Sequence, residues 1–153
     1  MKHKCFYLVG YHGCGKTTQA NRLEKEFPLL NYIGGKAGLD AISSVDELVA
    51  EVKASTRDMV IHGCIFQTEP TLLRLSRLTD LHIIVMHSLP KTVEQRTIAR
   101  GAADYNLDKF IVHYRFVKKL PAFKKQYTFK LSVVDNNKDA DTVYKDIKRC
   151  VLS

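Results

Sequence analysis

The sequence predicts an α/β fold, a three-layer, doubly wound parallel sheet of five strands with helices on both faces. Three observations predict it. Short apolar runs alternate with segments of helical periodicity along the chain. Most of the runs, such as Cys5 to Val9 and Leu81 to Met86, are apolar nearly throughout rather than at every second residue, the pattern of strands covered on both faces. A glycine-rich turn, Gly10 to Thr18, joins the first run to the first helical segment, at the carboxyl end of a strand where such sheets carry their ligands.

Each element has its own warrant. Lys4 to Val9 reads as a buried strand. In the helix Thr17 to Glu26, Ala20, Leu23 and Phe27 share one face at i, i+3, i+7, and Pro28 ends it. Leu29 to Ile33 is a second, short strand, followed by a loop, Gly34 to Gly38. Ser44 caps a helix running to about Ala54, with Leu48, Val49 and Val52 inward. Met59 to Ile61 is the third strand, ending at His62-Gly63. Thr68 or Glu69 starts a helix that tolerates Pro70 in its first turn, where an N–H has no partner to lose, and that lines up Leu72, Leu75 and Leu78. Leu81 to Met86 is the fourth strand, apolar except for His82. Pro90 opens a helix through Arg100, and Gly101 to Asn106 is a loop. Leu107 to about Lys125 is a long basic helix expected to bend or break at Pro121. Thr128 to Val134 is the fifth strand, and Asp139 to Val151 closes the chain as a helix with Val143, Ile147 and Val151 on one side.

At 153 residues the chain is expected to form one domain, 1–153. Its start, Met-Lys-His-Lys, precedes an apolar run too short for a signal peptide, and no run reaches membrane-spanning length. The cysteines Cys5, Cys14, Cys64 and Cys150 have no C-x-x-C spacing and read as reduced thiols, so the expected location is cytoplasmic. The net charge of +8 favours anionic partners. It fits a polyphosphate nucleotide, an anionic acceptor or a DNA or RNA backbone, and does not choose among them.

The turn carries the chemistry. Gly10, Gly15, Lys16 and Thr17 satisfy G-x-x-x-x-G-K-[ST], the Walker A or P-loop pattern. Glycines let backbone N–H groups crowd round a phosphate, and the following helix points its positive end at the same oxygens. Gly10, Gly13, Cys14, Gly15, Lys16, Thr17 and Thr18 are therefore the expected cradle for ATP, with Lys16 on the β and γ oxygens and the Thr17 hydroxyl on Mg²⁺. Cys14 reads as a loop residue turned outward.

Further along, Ser88-Leu89-Pro90 follows the fourth strand, Arg96 and Arg100 lie on the next helix, and a basic segment comes after them. With the P-loop near the N-terminus, this layout resembles the small P-loop kinases: nucleoside monophosphate kinases, gluconate-type kinases and the kinase domain of polynucleotide kinases. The resemblance implies strand order 2-3-1-4-5 and a lid, here about 101–119, that closes over ATP. It implies that Arg96 stacks on adenine and that Arg100 contacts the transferring phosphate. Their i, i+4 spacing puts both on one helix face, and a planar guanidinium suits both tasks.

Two departures stand out. Relatives carry Asp or Glu near the end of strand three, where this chain has His62, a poor Mg²⁺ ligand that reads better as a buried, hydrogen-bonded histidine. The acceptor region between strands two and three is short, and its one carboxylate between Glu26 and Asp46 is Asp40. Resemblance to polynucleotide kinases implies that Asp40 activates an attacking hydroxyl, and the same residue reads equally well as a turn or helix cap. Lys36 beside it faces an acceptor phosphate or solvent, and Arg74 and Arg77 are weaker phosphate candidates. The acid-free stretch Lys109 to Lys130 is either lid and polyanion guide or the basic outer face of an amphipathic helix. Asn136-Asn137-Lys138-Asp139 misses the register of the guanine motif N-K-x-D, so its loop lies beside an adenine edge or caps the last helix. The expected function is an ATP- and Mg²⁺-dependent kinase acting on a hydroxyl of a nucleic-acid or nucleoside-type acceptor, similar to polynucleotide kinases or to the phage enzymes that phosphorylate hydroxymethyluracil in DNA. The alternatives are a nucleoside monophosphate kinase and a P-loop nucleotide-binding protein that is no kinase.

Overall fold

Alternate residues of the apolar runs pack into two separate cores, and this is why the central strands carry so few polar residues. The computed structural model describes residues 2–11, 14–34, 42, 44–63, 67–99, 101 and 107–153, with the backbone alone at 107–109. Its strands are β1 (Lys4–Val9), β2 (Asn31–Gly34), β3 (Met59–His62), β4 (Asp80–His87) and β5 (Lys130–Asp135). They form one five-stranded sheet in the order β2-β3-β1-β4-β5, every pairing parallel. Tyr7, Val9, Ile83 and Val85 face one helical layer, where α2 (Val45–Ala54), α3 (Glu69–Leu78) and α5 (Leu107–Phe123) bring Leu48, Val52, Leu72, Leu75, Leu120 and Phe123. Phe6, Leu8, Ile84 and Met86 face the other, where α1 (Lys16–Glu26), α4 (Pro90–Ala99) and α6 (Ala140–Leu152) bring Ala20, Leu23, Val93, Val143 and Ile147. The fold class and the strand order are those expected from the sequence.

Several boundaries differ, each for a local reason. β2 starts at Asn31 because its N–H donates to the Asp58 carbonyl at 2.9 Å, while Leu29 lies in the turn after Pro28 and is 81% exposed. β4 gains a residue at each end because its ladders run from Lys4 paired with Asp80 to His87 paired with Asp135. β5 begins at Lys130 rather than Thr128. α5 is not broken at Pro121 but continues to Phe123. The proline lies in the last turn, between the buried anchors Leu120 and Phe123, and costs one backbone bond there. Ser44 caps α2 as expected, its Oγ accepting from the Glu47 N–H at 3.1 Å, and Asp139 caps α6 by accepting from the Thr142 N–H at 3.0 Å. Among the described residues, no helix is long and apolar enough to cross a membrane.

The topology fixes where chemistry can occur. The carboxyl ends of β1, β3, β4 and β5 lead into Gly10, His62, Ser88 and Asn136, which therefore share one edge of the sheet. Arg77 lies at the opposite edge, in a cleft with Lys2 and with Asp80 at the start of β4.

Candidate active site

The turn from β1 into α1 is shaped by two glycines. Gly15 holds φ at +99°, a left-handed conformation that lets the chain turn into the helix. At Gly10 the constraint is space, because a Cβ there would stand 2.6 Å from the Cys14 sulfur and 3.4 Å from the Met86 carbonyl oxygen. α1 has no side-chain cap and no acidic residue in its first turn. The N–H groups of that turn are left without a side-chain acceptor, at the positive end of the helix dipole.

Lys16 is only 5% exposed. Its ammonium donates to the carbonyls of Gly10 at 2.7 Å and Tyr11 at 2.8 Å, with the Cys14 sulfur 3.8 Å away. The two oxygen partners are neutral carbonyls. A buried cation among neutral acceptors keeps most of its desolvation cost, which an anion seated on it would offset. Cys14 is not turned outward as the sequence suggested: it is buried between Gly10 and Lys16, because the loop folds inward over the lysine stem.

The Thr17 hydroxyl lies 3.3 Å from Nδ1 of His62, at the end of β3. Burial, and then the charge of Lys16, hold the His62 ring below the usual histidine range, so it is neutral. A hydroxyl oxygen suits Mg²⁺, a ring nitrogen does not, and no group of three or more His, Cys, Asp or Glu side chains stands together as a metal cluster among the described residues. Among the described residues, the Thr17 hydroxyl is therefore the group that fits a Mg²⁺ here, with phosphate and water oxygens completing the shell.

The loop is braced from both sides. Asn136, after β5, is 3% exposed and donates through Nδ2 to the Cys14 carbonyl and to the Ser88 hydroxyl, both at 2.8 Å. Its own N–H donates to the His87 carbonyl at 2.8 Å. Gln67, ahead of α3, donates to the Gly10 carbonyl at 2.9 Å. The sequence reading met Asn136 only as part of a rejected guanine motif and did not notice Gln67. The signal that could have found Asn136 is a lone amide directly after an apolar strand, at the ligand edge of the sheet.

The remaining candidates separate. Thr18 is exposed on α1. Arg96 donates to the Lys138 carbonyl at 3.0 Å and so lies against the loop after β5. Arg74 pairs with Asp46 at 2.6 Å. Gly13, Lys36, Asp40 and Arg100 lie outside the described residues, as does 102–106 of the lid-like segment 101–119. From 107 onward that segment is the start of α5, where Phe110 packs on Tyr11 with ring centroids 5.4 Å apart. His113 follows on the same helix, beside the loop. Burial, then Lys16, then His87 push its ring down to about 4. Neither His87 nor His113 was singled out from the sequence.

Three solved structures are similar to this chain over nearly its whole length. One is the YorR protein from Bacillus subtilis in complex with phosphorylated GDP, with a TM-score of 0.66 at 18% identity, covering 97% of this chain and 95% of that one. Another is deoxyadenosine kinase from M. mycoides with the products dCMP and a flexible dCDP, with a TM-score of 0.63 at 13% identity, covering 97% and 98%. The same enzyme with bound dATP gives a TM-score of 0.62 at 12% identity, covering 99% and 100%. No protein-family model matches the sequence, and no curated protein matches it. At these identities the likeness shows the fold alone, which this chain shares with all three structures.

Proposed function

We propose that the protein is an ATP- and Mg²⁺-dependent kinase that phosphorylates a hydroxyl of a nucleoside-type acceptor. One observation carries the reading: the Lys16 ammonium is buried in a phosphate-binding loop, among neutral acceptors, at the carboxyl edge of a P-loop kinase sheet. The nucleotide-binding role falls to Gly10, Gly13, Cys14, Gly15 and Thr18, the first turn of α1 offers N–H donors, and Lys16 supplies the charge. Thr17 would hold Mg²⁺, which when bound neutralises phosphate charge. With the His62 ring neutral, the tautomer bare at Nδ1 accepts the Thr17 hydroxyl proton and leaves the oxygen lone pairs for the cation. Arg96, set against the loop after β5, stacks on the base, Arg100 contacts the transferring phosphate, and segment 101–119 closes as a lid. Asp40 takes the proton of the acceptor hydroxyl as its oxygen bonds to the γ-phosphorus and the bond from that phosphorus to the β–γ bridging oxygen breaks, with ADP as the leaving group.

A second reading is a nucleoside monophosphate kinase. A phosphate acceptor is already ionised and needs no base, so Asp40 separates the two. The test is transfer from γ-labelled ATP, with Mg²⁺, to deoxynucleosides, to nucleoside monophosphates and to DNA carrying 5′-hydroxyl or hydroxymethyluracil groups. Label on deoxynucleosides, lost in Asp40→Asn, supports the proposal. Label on monophosphates that survives Asp40→Asn selects the second reading, and label on DNA moves the acceptor to a polynucleotide. Binding of ATP without any labelled product would make the chain a nucleotide-binding protein and end the kinase reading.

A further inference from the structure

A cleft runs between the phosphate loop, the carboxyl end of β4 and the first turns of α5. Tyr11, His87, Ser88, Phe110, His113 and Tyr114 are among the residues that line it. α5 is docked there through Phe110, whose ring centroid lies 5.4 Å from that of Tyr11. Position 113 is three residues beyond Phe110, so the same helix face that grips the loop carries the histidine over it. The charge in this cleft is one-sided. Lys16 from α1 and His87 from the end of β4 both act on His113. No carboxylate lines the cleft among the described residues. Among the described residues, His113 in this cleft faces basic groups and no acid, an arrangement unfavourable for folding alone that becomes favourable once an anion completes the group.

We propose that His113 is a phosphate-binding residue, which takes up a proton as the polyphosphate seats on Lys16 and then donates a ring N–H to one of its oxygens. The proposal rests on the phosphate site of the kinase read above and not on the acceptor. In the free protein burial, Lys16 and His87 keep the ring neutral. A polyphosphate replaces a net positive surrounding with a negative one and reverses the preference. Binding therefore draws in a proton between the free and bound midpoints, and affinity rises as pH falls through that window.

The test uses the full chain and AMPPNP with Mg²⁺, a non-hydrolysable ATP analogue. Ring signals of the histidines are titrated by NMR with and without saturating AMPPNP, and the His113 signal is assigned by its loss in His113→Gln, or in His113→Asn should the first variant not fold. The His113 midpoint is expected to start below the ordinary histidine range and to rise by about one pH unit or more with AMPPNP, a change equivalent to about tenfold in affinity. Calorimetry in buffers of different ionisation enthalpy is expected to show more proton uptake for wild type than for the variant, which corrects for protons taken by the nucleotide itself. A midpoint unmoved by saturating AMPPNP, or equal uptake in both proteins, overturns the proposal and leaves nucleotide binding standing. AMPPNP that fails to bind wild type overturns the phosphate site, and this inference with it.

Discussion

At Lys16 stability and binding pull in opposite directions. Its ammonium is buried and its partners are neutral, so the folded chain bears a desolvation cost that methionine at the same position would not. Lys16→Met is expected to leave the thermal midpoint unchanged or raised while ATP affinity falls by about 100-fold, the scale set by losing one preorganised donor to phosphate-like charge. Thermal unfolding and ATP titration on one preparation check both halves; a lower midpoint with intact binding would refute them. Asn136 behaves in the opposite way, because its amide satisfies a buried carbonyl and a buried hydroxyl at once. Asn136→Ala is expected to cost about 1–3 kcal/mol in chemical denaturation. Asn136→Asp is expected to cost more, because it turns an acceptor toward the Cys14 carbonyl, and an Asp variant as stable as wild type would show that this brace is dispensable. Lys16 and Thr17 were legible in the sequence because their spacing from Gly15 is fixed by the loop itself. Asn136, Gln67 and the inward turn of Cys14 were not, because each depends on which strand end stands beside the loop, and one chain's spacing does not encode that.

The helices and strands depend on local and distant causes in different proportion, and this sets which of their features could be read in advance. Ser44 was legible as a cap because its acceptor and the Glu47 N–H are three residues apart. Ser44→Ala is accordingly expected to cost about 1 kcal/mol, read as a shift in urea midpoint without change of slope. A null effect would mean that α2 is held by Leu48, Val49 and Val52 alone. Strand existence was equally legible from the apolar runs, but strand ends were not. β2 begins where Asn31 meets Asp58, and β4 ends where His87 meets Asp135, both pairings across the sheet. At Pro121 the local rule favoured a break, and the packing of Leu120 and Phe123 into the core overrode it. His113 escaped notice for the same reason: on a helix wheel it is one more residue of a basic helix, and only the docking of Phe110 on Tyr11 brings it to the phosphate loop.

The fold as a whole sets the response to acid, because it places neutral histidines where protons are unwelcome. His62, His82 and His113 are all held below the ordinary histidine value, burial being the first cause for each. Lys16 adds to it for His62 and His113, and Lys130 adds to it for His82 against an opposing pull from Asp80. A group whose folded pKa lies below its unfolded one binds more protons when unfolded. Its stabilisation is complete above the unfolded value of about 6.5 and is lost as pH falls below it. The loss continues toward the folded values, that of His113 being about 4. In that window a histidine as buried as His113 contributes a slope of up to about 1.4 kcal/mol per pH unit, and the less buried His82 contributes less through solvent screening. The lowered carboxylates Glu26, Asp135 and Asp139 work in the same direction, but only below the unfolded carboxylate range of about 4, so the two regions separate. Urea midpoints are therefore expected to coincide at pH 8.5 and 7.5 and to fall steadily between 6.5 and 4.5, with a shallower fall in His113→Gln. A midpoint flat from pH 8 to 5 would mean that these rings titrate in the folded chain as they do in the unfolded one, and the lowered pKa of His62 beside Thr17 would be lost with them.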